Sequence, residues 1–165
     1  MDATIIEVII EIPAGSRNKY EYDPERRILR LDRVLHSSVH YPGDYGYIME
    51  TLAEDGDAVD ALVMVTSPTV PGCHVKARMV GVLSMRDDKG LDDKILCVPV
   101  GDPRFSHIYD LVDVPDHALR EIEHFFQTYK ALEEKTVVTA GWKGADEAAS
   151  IMRKARANYA RRHGL

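Results

Sequence analysis

Short apolar segments alternate with turn-forming residues over the first hundred residues, and this pattern restricts the fold more than any other feature of the chain. Ile5 to Ile12 is rich in β-branched residues and ends at a Pro-Ala-Gly turn, and Ile28 to Val34 alternates apolar and polar residues. Three further segments have the composition of strands: Ala61 to Val65, His74 to Met85 and Ile95 to Val100. Many short strands at close spacing predict a sheet that closes, or nearly closes, into a barrel.

Less regular segments complete the strand pattern. Lys19 to Tyr22 and Val137 to Ala140 predict two short strands. Gly81 predicts a bulge or bend within the long segment that contains it. His40 to Tyr47 reads HYPGDYGY and is predicted to be a loop, because it is rich in glycine, proline and aromatic residues.

Two amphipathic helices are predicted after the strands. The first begins near Pro115, a residue suited to a first helical turn, and places Phe126 and Tyr129 on one face. The second runs from about Ala145 to His163 and ends in basic residues that complement the helix dipole. Strands followed by helices predict a single α+β domain over residues 1–165, with a small, mostly antiparallel β-barrel flanked by two main helices.

Composition limits the class of protein. With 165 residues, 45% of them hydrophobic, the chain is long enough for one domain with a substantial core. Its formal net charge of −6 does not favour nucleic acid, so an anionic substrate would need a local basic pocket or bridging metal ions. Cys73 and Cys97 lack a metal-binding spacing and are predicted to be buried free thiols, as in a reducing compartment.

The apolar segments of the chain do not resemble targeting or membrane segments. The N-terminal segment lacks the basic start of a signal peptide, and Glu7 and Glu11 interrupt its apolar run. No stretch of the sequence approaches the ~20 apolar residues that a membrane-spanning helix needs. We therefore expect a cytoplasmic protein without a membrane partner.

Two groups of carboxylates are the clearest chemical feature of the sequence. The run Asp55-Gly56-Asp57-Ala58-Val59-Asp60 places three carboxylates directly before the apolar segment ALVMV. Like charges this close repel each other, but a hard divalent cation such as Mg²⁺ can bind between them, because it prefers oxygen ligands. A second group follows the long strand and consists of Asp87, Asp88, Asp92 and Asp93. If that strand lies beside ALVMV, the two groups face each other and could hold the metal pair used in many phosphoryl displacements.

Each acidic group also has a simpler interpretation. Either one alone is compatible with a solvated acidic turn. A calcium loop of the EF-hand type starting at Asp55 is excluded, because its fifth, sixth and twelfth positions should be an acid or amide, Gly and Glu. Those positions hold Val59, Asp60 and Thr66.

Basic and phenolic side chains are candidates for holding an anionic substrate. The basic candidates are Lys19, Arg33, Lys94 and Lys130. Each is an ordinary surface cation when taken alone, and only their convergence would form a phosphate-binding wall. Hydroxyl donors could come from Tyr41, Tyr45, Tyr47 and Tyr129, of which Tyr47 is expected to pack in the core. Neither a GxxxxGK[ST] loop nor a GxSxG elbow is present, so the sequence gives little support to a P-loop enzyme or a serine hydrolase.

Six segments, in chain order, resemble the soluble inorganic pyrophosphatases of the single-domain, magnesium-dependent family (family I, bacterial type). They are IEIPAGSRNKYEYD, LDRVL, YPGDYGY, DGDAVDALV, MRDDKGLDDKILCVP and HFFQTYKALE. The resemblance implies an OB-like β-barrel flanked by helices. It also implies hydrolysis of inorganic pyrophosphate to two phosphates, with several Mg²⁺ ions per active site. A metal-activated water would attack directly and in line, without a covalent intermediate.

The resemblance implies a role for each matching residue. Asp57 would accept the proton of the attacking water, as the catalytic base. The metal ligands would be Glu11, Glu21, Asp55, Asp60, Asp87 and Asp92, with Asp60 bridging two ions. The phosphates would be bound by Lys19, Arg33, Tyr45, Lys94, Tyr129 and Lys130.

The chain departs from the family pattern at Ala58, where the family usually has proline. Proline would stiffen the loop by fixing φ, so the resemblance implies a looser metal-free loop and weaker metal affinity here. The family also implies a homo-oligomer, with a hexamer favoured, that acts on a small-molecule substrate and binds no nucleic acid.

Two competing functions are left open by the sequence. An OB-type protein that binds single-stranded nucleic acid would need a basic groove with stacking aromatic residues, whereas only 7% of this chain is aromatic. A metal-dependent hydrolase of nucleotides or other phosphate esters would use the same carboxylates. No additional segment of the chain indicates a pocket for a base.

Overall fold

A computed structural model describes residues 2–165, which form nine strands and two α-helices. The strands are β1 (Ile5–Ile12), β2 (Asn18–Asp23), β3 (Ile28–Val34), β4 (Asp44–Ile48), β5 (Asp60–Val63), β6 (His74–Asp87), β7 (Gly90–Leu91), β8 (Lys94–Pro99) and β9 (Val138–Gly144). The helices are α1 (Asp116–Thr128) and α2 (Ala145–Arg162).

Five strands close into a barrel in the order β1-β4-β5-β8-β6, and pairing between β6 and β1 completes the circle. All neighbouring pairs are antiparallel except β5 and β8, which run parallel. β7 and β9 extend the sheet from β6, and β2 and β3 form a separate two-stranded sheet. The predicted α+β fold, a mostly antiparallel OB-like barrel flanked by two helices, is confirmed.

Alternating side chains of the barrel strands contribute to two apolar clusters, and each helix covers one of them. Phe125 and Phe126 of α1 pack in the first cluster with Leu83 and Leu96 of the barrel. Met152 of α2 packs in the second cluster, together with the smaller α2 residues Ala148 and Ala155. Burial of these faces is the main favourable contribution to folding. Within residues 2–165, neither helix is long and apolar enough to cross a membrane.

The segment predicted as a loop at His40 to Tyr47 ends in strand β4 instead. Gly46 explains the difference, because a Cβ atom at this position would lie 1.8 Å from the carbonyl oxygen of Ile9 on β1. The glycine therefore permits a close approach of two strands, rather than marking a turn. The bulge predicted at Gly81 is present, since the register of β6 against β8 shifts between Met79 and Gly81.

The burial of two side chains differs from the sequence-based expectation. Tyr47, which was expected in the core, is only half-buried, whereas Tyr41 and Tyr45 of the same segment are buried. Cys97 is buried as predicted, but Cys73 is half-buried, and both are free.

Candidate active site

The ammonium group of Lys94 occupies the centre of the candidate site, and its side chain is only 4% exposed. It donates hydrogen bonds to Asp60 Oδ2 at 2.8 Å, Asp92 Oδ1 at 2.9 Å and the Tyr45 hydroxyl at 2.7 Å. The Tyr45 hydroxyl also donates to Asp60 Oδ2, at 2.7 Å. One buried cation thus connects the two acidic segments of the chain.

The strand register explains why these side chains meet. Asp60 begins β5, Lys94 begins β8, and the two residues lie opposite each other in the parallel pair. We expected β6 to be the neighbour of β5, but β8 lies between them. The second acidic group reaches the first because Asp92 lies just before β8, while Asp87 ends β6 on the far side of that strand.

The charges at the centre are strongly coupled. Burial alone would lower the pKa of Lys94, but the carboxylates of Asp60 and Asp92 raise it above its ordinary value. Burial raises the pKa of Asp92, and the Asp60 charge adds to this rise while Lys94 opposes it. The Lys94 ammonium therefore offsets part of the repulsion between the two carboxylates.

Aromatic rings at the end of α1 form one wall of the site. Tyr129 follows the helix directly, is buried, and packs against Phe125 and Phe126 with ring centroids 5.2 and 5.7 Å away. Burial raises the pKa of Tyr129 to about 12, so its hydroxyl remains a hydrogen-bond donor at neutral pH. The ring of Phe126 also lies 5.7 Å from the Lys94 ammonium.

Lys130 and Asp87 form a second ion pair beside the centre. Their charged atoms are 3.5 Å apart, and their side chains are 14% and 7% exposed. Burial lowers the pKa of Lys130, and the nearby Lys94 and Arg33 contribute to this decrease although Asp87 opposes it. Lys130 therefore lies within electrostatic range of two other predicted phosphate ligands.

The loop before β5 carries Asp55 and Asp57. Gly56 adopts a positive φ of 89°, and the Asp57 amide donates to Asp55 Oδ1 at 3.0 Å, so the loop forms a tight turn. Burial raises the pKa of Asp55. A cleft of about 100 Å³ beside α2 is lined by Asp55, Asp60 and Asp92 among others, whereas Asp57 is exposed to solvent.

A basic arm connects the β2–β3 hairpin to the segment after α1. Lys19 lies 2.6 Å from Glu21 and 3.2 Å from Asp32, and Arg33 lies 2.6 Å from Asp32. On its other side, Arg33 Nε lies 2.7 Å from Glu133 Oε1. The predicted metal ligand Glu21 therefore pairs with a lysine, and its side chain is 57% exposed.

Glu11 lies between the basic arm and the acidic centre. Its Oε2 accepts a hydrogen bond from the Tyr22 amide at 2.8 Å. Burial is the main reason why the pKa of Glu11 is raised to about 7, and the charge of Asp60 adds to the rise. A bound cation would favour the ionised form of this carboxyl group.

The structure joins six of the thirteen predicted site residues directly. One connected set of contacts around the buried ammonium contains Tyr45, Asp60, Asp87, Asp92, Lys94 and Lys130. Two further participants were missed from the sequence, Asp32 and Glu133. Asp32 could have been found as the neighbour of Arg33 in LDRVL, whereas nothing in the sequence indicates that Glu133 reaches Arg33.

The donor set of the site fits a hard divalent cation. Its acidic side chains offer carboxylate oxygens, and oxygen donors are what Mg²⁺ prefers. Within residues 2–165, no three acidic, histidine or cysteine side chains converge closely enough to surround one ion, and the Lys94 ammonium lies between Asp60 and Asp92. Burial is the main reason why the pKa values of Asp55 and Asp92 are raised, with neighbouring carboxylates as a smaller cause, and a bound cation would favour the ionised forms.

Comparison with known proteins agrees with this geometry. The inorganic pyrophosphatase family model matches residues 8–160. An inorganic pyrophosphatase of Methanosarcina acetivorans is 54% identical over 152 residues, which cover 92% of this chain and 90% of that protein. One from Thermus thermophilus is 49% identical over 158 residues, covering 94% of this chain and 90% of that protein.

Solved structures give the same result. The crystal structure of inorganic pyrophosphatase from Thermus thermophilus superimposes with a TM-score of 0.92 at 48% identity, covering 94% of this chain and 91% of that one. The Helicobacter pylori inorganic pyrophosphatase superimposes with a TM-score of 0.93 at 43% identity, covering 96% and 95%. Because both the sequence and the barrel match over nearly the whole chain, this protein belongs to the inorganic pyrophosphatase family.

Proposed function

We propose that the protein hydrolyses inorganic pyrophosphate to two phosphates by direct attack of water, without a covalent intermediate. The observation that supports this most directly is the convergence of opposite charges around Lys94. Its ammonium contacts Asp60 and Asp92, and Lys130 lies within electrostatic range of both Lys94 and Arg33. Paired phosphates carry many negative charges in a small volume, and a compact group of cations is suited to them.

The carboxylates of the site would hold the divalent cations. We assign Glu11, Glu21, Asp55, Asp60, Asp87 and Asp92 to this role. When bound, the ions would neutralise phosphate oxygens and lower the pKa of water, which a single metal can bring to about 7. Mg²⁺ is the ion that we propose, because the donors are hard oxygen atoms.

Asp57 is proposed as the general base that accepts the proton of the attacking water. Its exposure leaves the carboxylate accessible to water, while its backbone is held by two hydrogen bonds. The Asp57 amide donates to Asp55 at 3.0 Å, and the Asp57 carbonyl accepts from the Ala53 amide at 2.8 Å. A base on a fixed turn can be oriented without being buried.

The cationic residues and two tyrosines would bind the phosphate oxygens. Arg33, Lys130 and Lys19 approach from the side of the basic arm, with Lys94, Tyr45 and Tyr129 deeper in the site. Arg33 has a buried Nη2 atom that has no hydrogen-bond partner among residues 2–165. Such donors are costly unless they are paired, and a phosphate oxygen would pair this one.

One experiment tests the proposed substrate. Phosphate release would be measured with Mg²⁺ from pyrophosphate, ATP and a simple phosphate monoester, side by side. We expect rapid turnover of pyrophosphate and little of the other two, because the cations described above are suited to two adjacent phosphates. Faster release from ATP or the monoester would contradict the proposal. Tight binding of a single-stranded oligonucleotide without magnesium would favour the nucleic-acid alternative.

The remaining expectations rest on the family and on the sequence. We propose a homo-oligomer, with a hexamer favoured, and a cytoplasmic location. Light scattering of the purified protein would give the mass of the particle in solution. A particle of the monomer mass would contradict the proposed oligomer.

A further inference from the structure

We propose that Glu133 is a positioning residue that holds the Arg33 guanidinium in the orientation needed to bind a phosphate of the substrate. This inference rests on the proposed function, since it assigns a role toward the same substrate. Glu133 lies outside the acidic groups and ends the short 3₁₀ turn Ala131–Glu133, which follows Tyr129 and Lys130.

The pair is buried enough to restrict both side chains. Arg33 Nε lies 2.7 Å from Glu133 Oε1, and the side chains are 22% and 7% exposed. Although burial opposes the charged guanidinium, the contacts with Glu133 and Asp32 raise the pKa of Arg33 above its ordinary value. An ion pair as shielded as this one is less screened by solvent than a surface pair.

Two carboxylates hold the guanidinium from different edges. Glu133 contacts Nε, while Asp32 contacts Nη1 at 2.6 Å and also lies 3.2 Å from the Lys19 ammonium. Nη2 is buried and has no hydrogen-bond partner among residues 2–165, and the contact between Nε and Glu133 is an ion pair rather than an aligned hydrogen bond. Because the guanidinium is planar and rigid, fixing two of its nitrogens fixes the direction of the third.

Glu133 also links the β2–β3 hairpin to the segment after α1. Arg33 lies on β3, which pairs with β2 in a separate two-stranded sheet outside the barrel. Lys130 precedes the same 3₁₀ turn and contacts Asp87 at the end of β6. One turn therefore places Lys130 against the barrel and Glu133 against the hairpin, so that the distance between Lys130 and Arg33 depends on this pair.

A purely structural ion pair would behave differently when broken. If Glu133 only tied the hairpin to the rest of the molecule, its removal would lower thermal stability but leave the affinity for pyrophosphate unchanged in the folded fraction. If Glu133 orients Arg33, its removal should raise KM for pyrophosphate in the folded protein, whatever its effect on thermal stability. Its effect should also disappear once Arg33 is absent.

The test uses Glu133→Gln, which keeps the size of the side chain but removes its charge. We expect KM for pyrophosphate to rise and kcat/KM to fall by about 10²-fold, the loss that a displacement of roughly 1 Å can cause. The matched control is Glu134→Gln, because Glu134 is the next residue and is exposed. The control should leave KM and kcat unchanged.

A double-mutant cycle gives a second readout. Arg33→Ala combined with Glu133→Gln should be no worse than Arg33→Ala alone, because Glu133 would act only through Arg33. If the two losses multiply, the positioning role is wrong. If Glu133→Gln does not fold, Glu133→Asp keeps the charge on a shorter side chain and should raise KM at unchanged thermal stability, and an unchanged KM for that variant would overturn the inference.

Failure of the inference can be distinguished from failure of the proposed function. If the unmodified protein releases phosphate from pyrophosphate and Glu133→Gln behaves like Glu134→Gln, only the role of Glu133 is wrong. If the unmodified protein does not hydrolyse pyrophosphate, the proposed function itself is wrong, and the positioning role toward this substrate is wrong with it.

Discussion

At the scale of single residues, the role of a charged side chain in this site depends more on which groups it contacts than on its residue type. Lys94 is an ordinary lysine in the sequence, but the structure buries it against two carboxylates and a tyrosine hydroxyl. The acids of DGDAVD could be recognised from the sequence because they are adjacent. Asp32 could have been recognised as the sequence neighbour of Arg33, but Glu133 could not, because its contact with Arg33 is made across a hundred residues.

Asp57 and Asp60 are expected to respond differently when each is changed to Asn. Asp60 is the proposed bridging ligand of two ions, and Asn lacks its charge, so Asp60→Asn should raise the Mg²⁺ concentration needed for activity. Asp57→Asn should keep metal affinity but lower kcat by about 10²–10⁴-fold, the usual contribution of a positioned base. The measurement is kcat against pH at saturating Mg²⁺, where rising pH should partly restore Asp57→Asn. If additional Mg²⁺ alone restored the activity of Asp57→Asn, Asp57 would be a metal ligand and not the general base.

Lys130→Ala should weaken substrate binding and lower kcat, because the half-buried ammonium lies near Lys94, Arg33 and Asp87. Lys76→Ala is the matched control, since Lys76 is exposed at the start of β6, whereas Asp87 ends that strand. Lys154→Ala, on α2, should also be nearly silent. Its ion pair with Glu54 is exposed, and such pairs contribute little. Equal losses of activity in Lys130→Ala and Lys76→Ala would show that the substrate does not bind at the proposed site.

At the scale of strands and helices, the bounds of most elements could be predicted from the periodicity of apolar residues and from turn residues. Which strands pair with each other could not be predicted in this way. The predicted strand Ile28 to Val34 has the observed bounds, because the alternation of apolar and polar residues can be recognised within the segment itself. The parallel pairing of β5 with β8 is a property of the closed barrel, and it alone places Asp60 opposite Lys94. β4 was predicted as a loop because glycine normally interrupts strands, whereas here Gly46 is required by the neighbouring backbone.

Gly46→Ala should destabilise the barrel. The new Cβ atom would lie 1.8 Å from the Ile9 carbonyl oxygen, which belongs to the backbone and cannot rotate away. Overpacking of this kind costs about 1–3 kcal/mol or more in the free energy of unfolding. Gly101→Ala is the control, because a Cβ there meets nothing within 4 Å. Urea unfolding of both variants provides the measurement, and equal midpoints would contradict the close approach of β4 to β1.

Ala58→Pro should be tolerated and should tighten metal binding. Proline restricts the metal-free loop, an effect on the order of 0.4–1 kcal/mol where the native backbone accepts it. The neighbouring amides of Asp57 and Val59 keep their hydrogen bonds to Asp55 and Thr51, since neither bond uses the amide that proline removes. Mg²⁺ titration by calorimetry would measure the change. A severe loss of activity would show that the loop follows a path that proline cannot adopt.

At the scale of the whole molecule, the barrel holds together charges that would otherwise repel. β1, β2, β3, β4, β5, β6 and β8 each contribute a candidate site residue, and the segment after α1 supplies Tyr129 and Lys130. Two apolar clusters, one under each helix, support this arrangement from opposite faces of the sheet. The net charge of −6 is therefore compatible with an anionic substrate only if cations balance the carboxylates locally.

The central claim is that these carboxylates serve to hold divalent cations for pyrophosphate hydrolysis. It is tested most directly by phosphate release from pyrophosphate in one protein sample, first with Mg²⁺, then with an excess of chelator, and then with Mg²⁺ restored. We predict that activity disappears with chelator and returns with Mg²⁺, while Ca²⁺, with its longer and looser coordination, does not restore it. Full turnover of pyrophosphate in excess chelator would contradict the account.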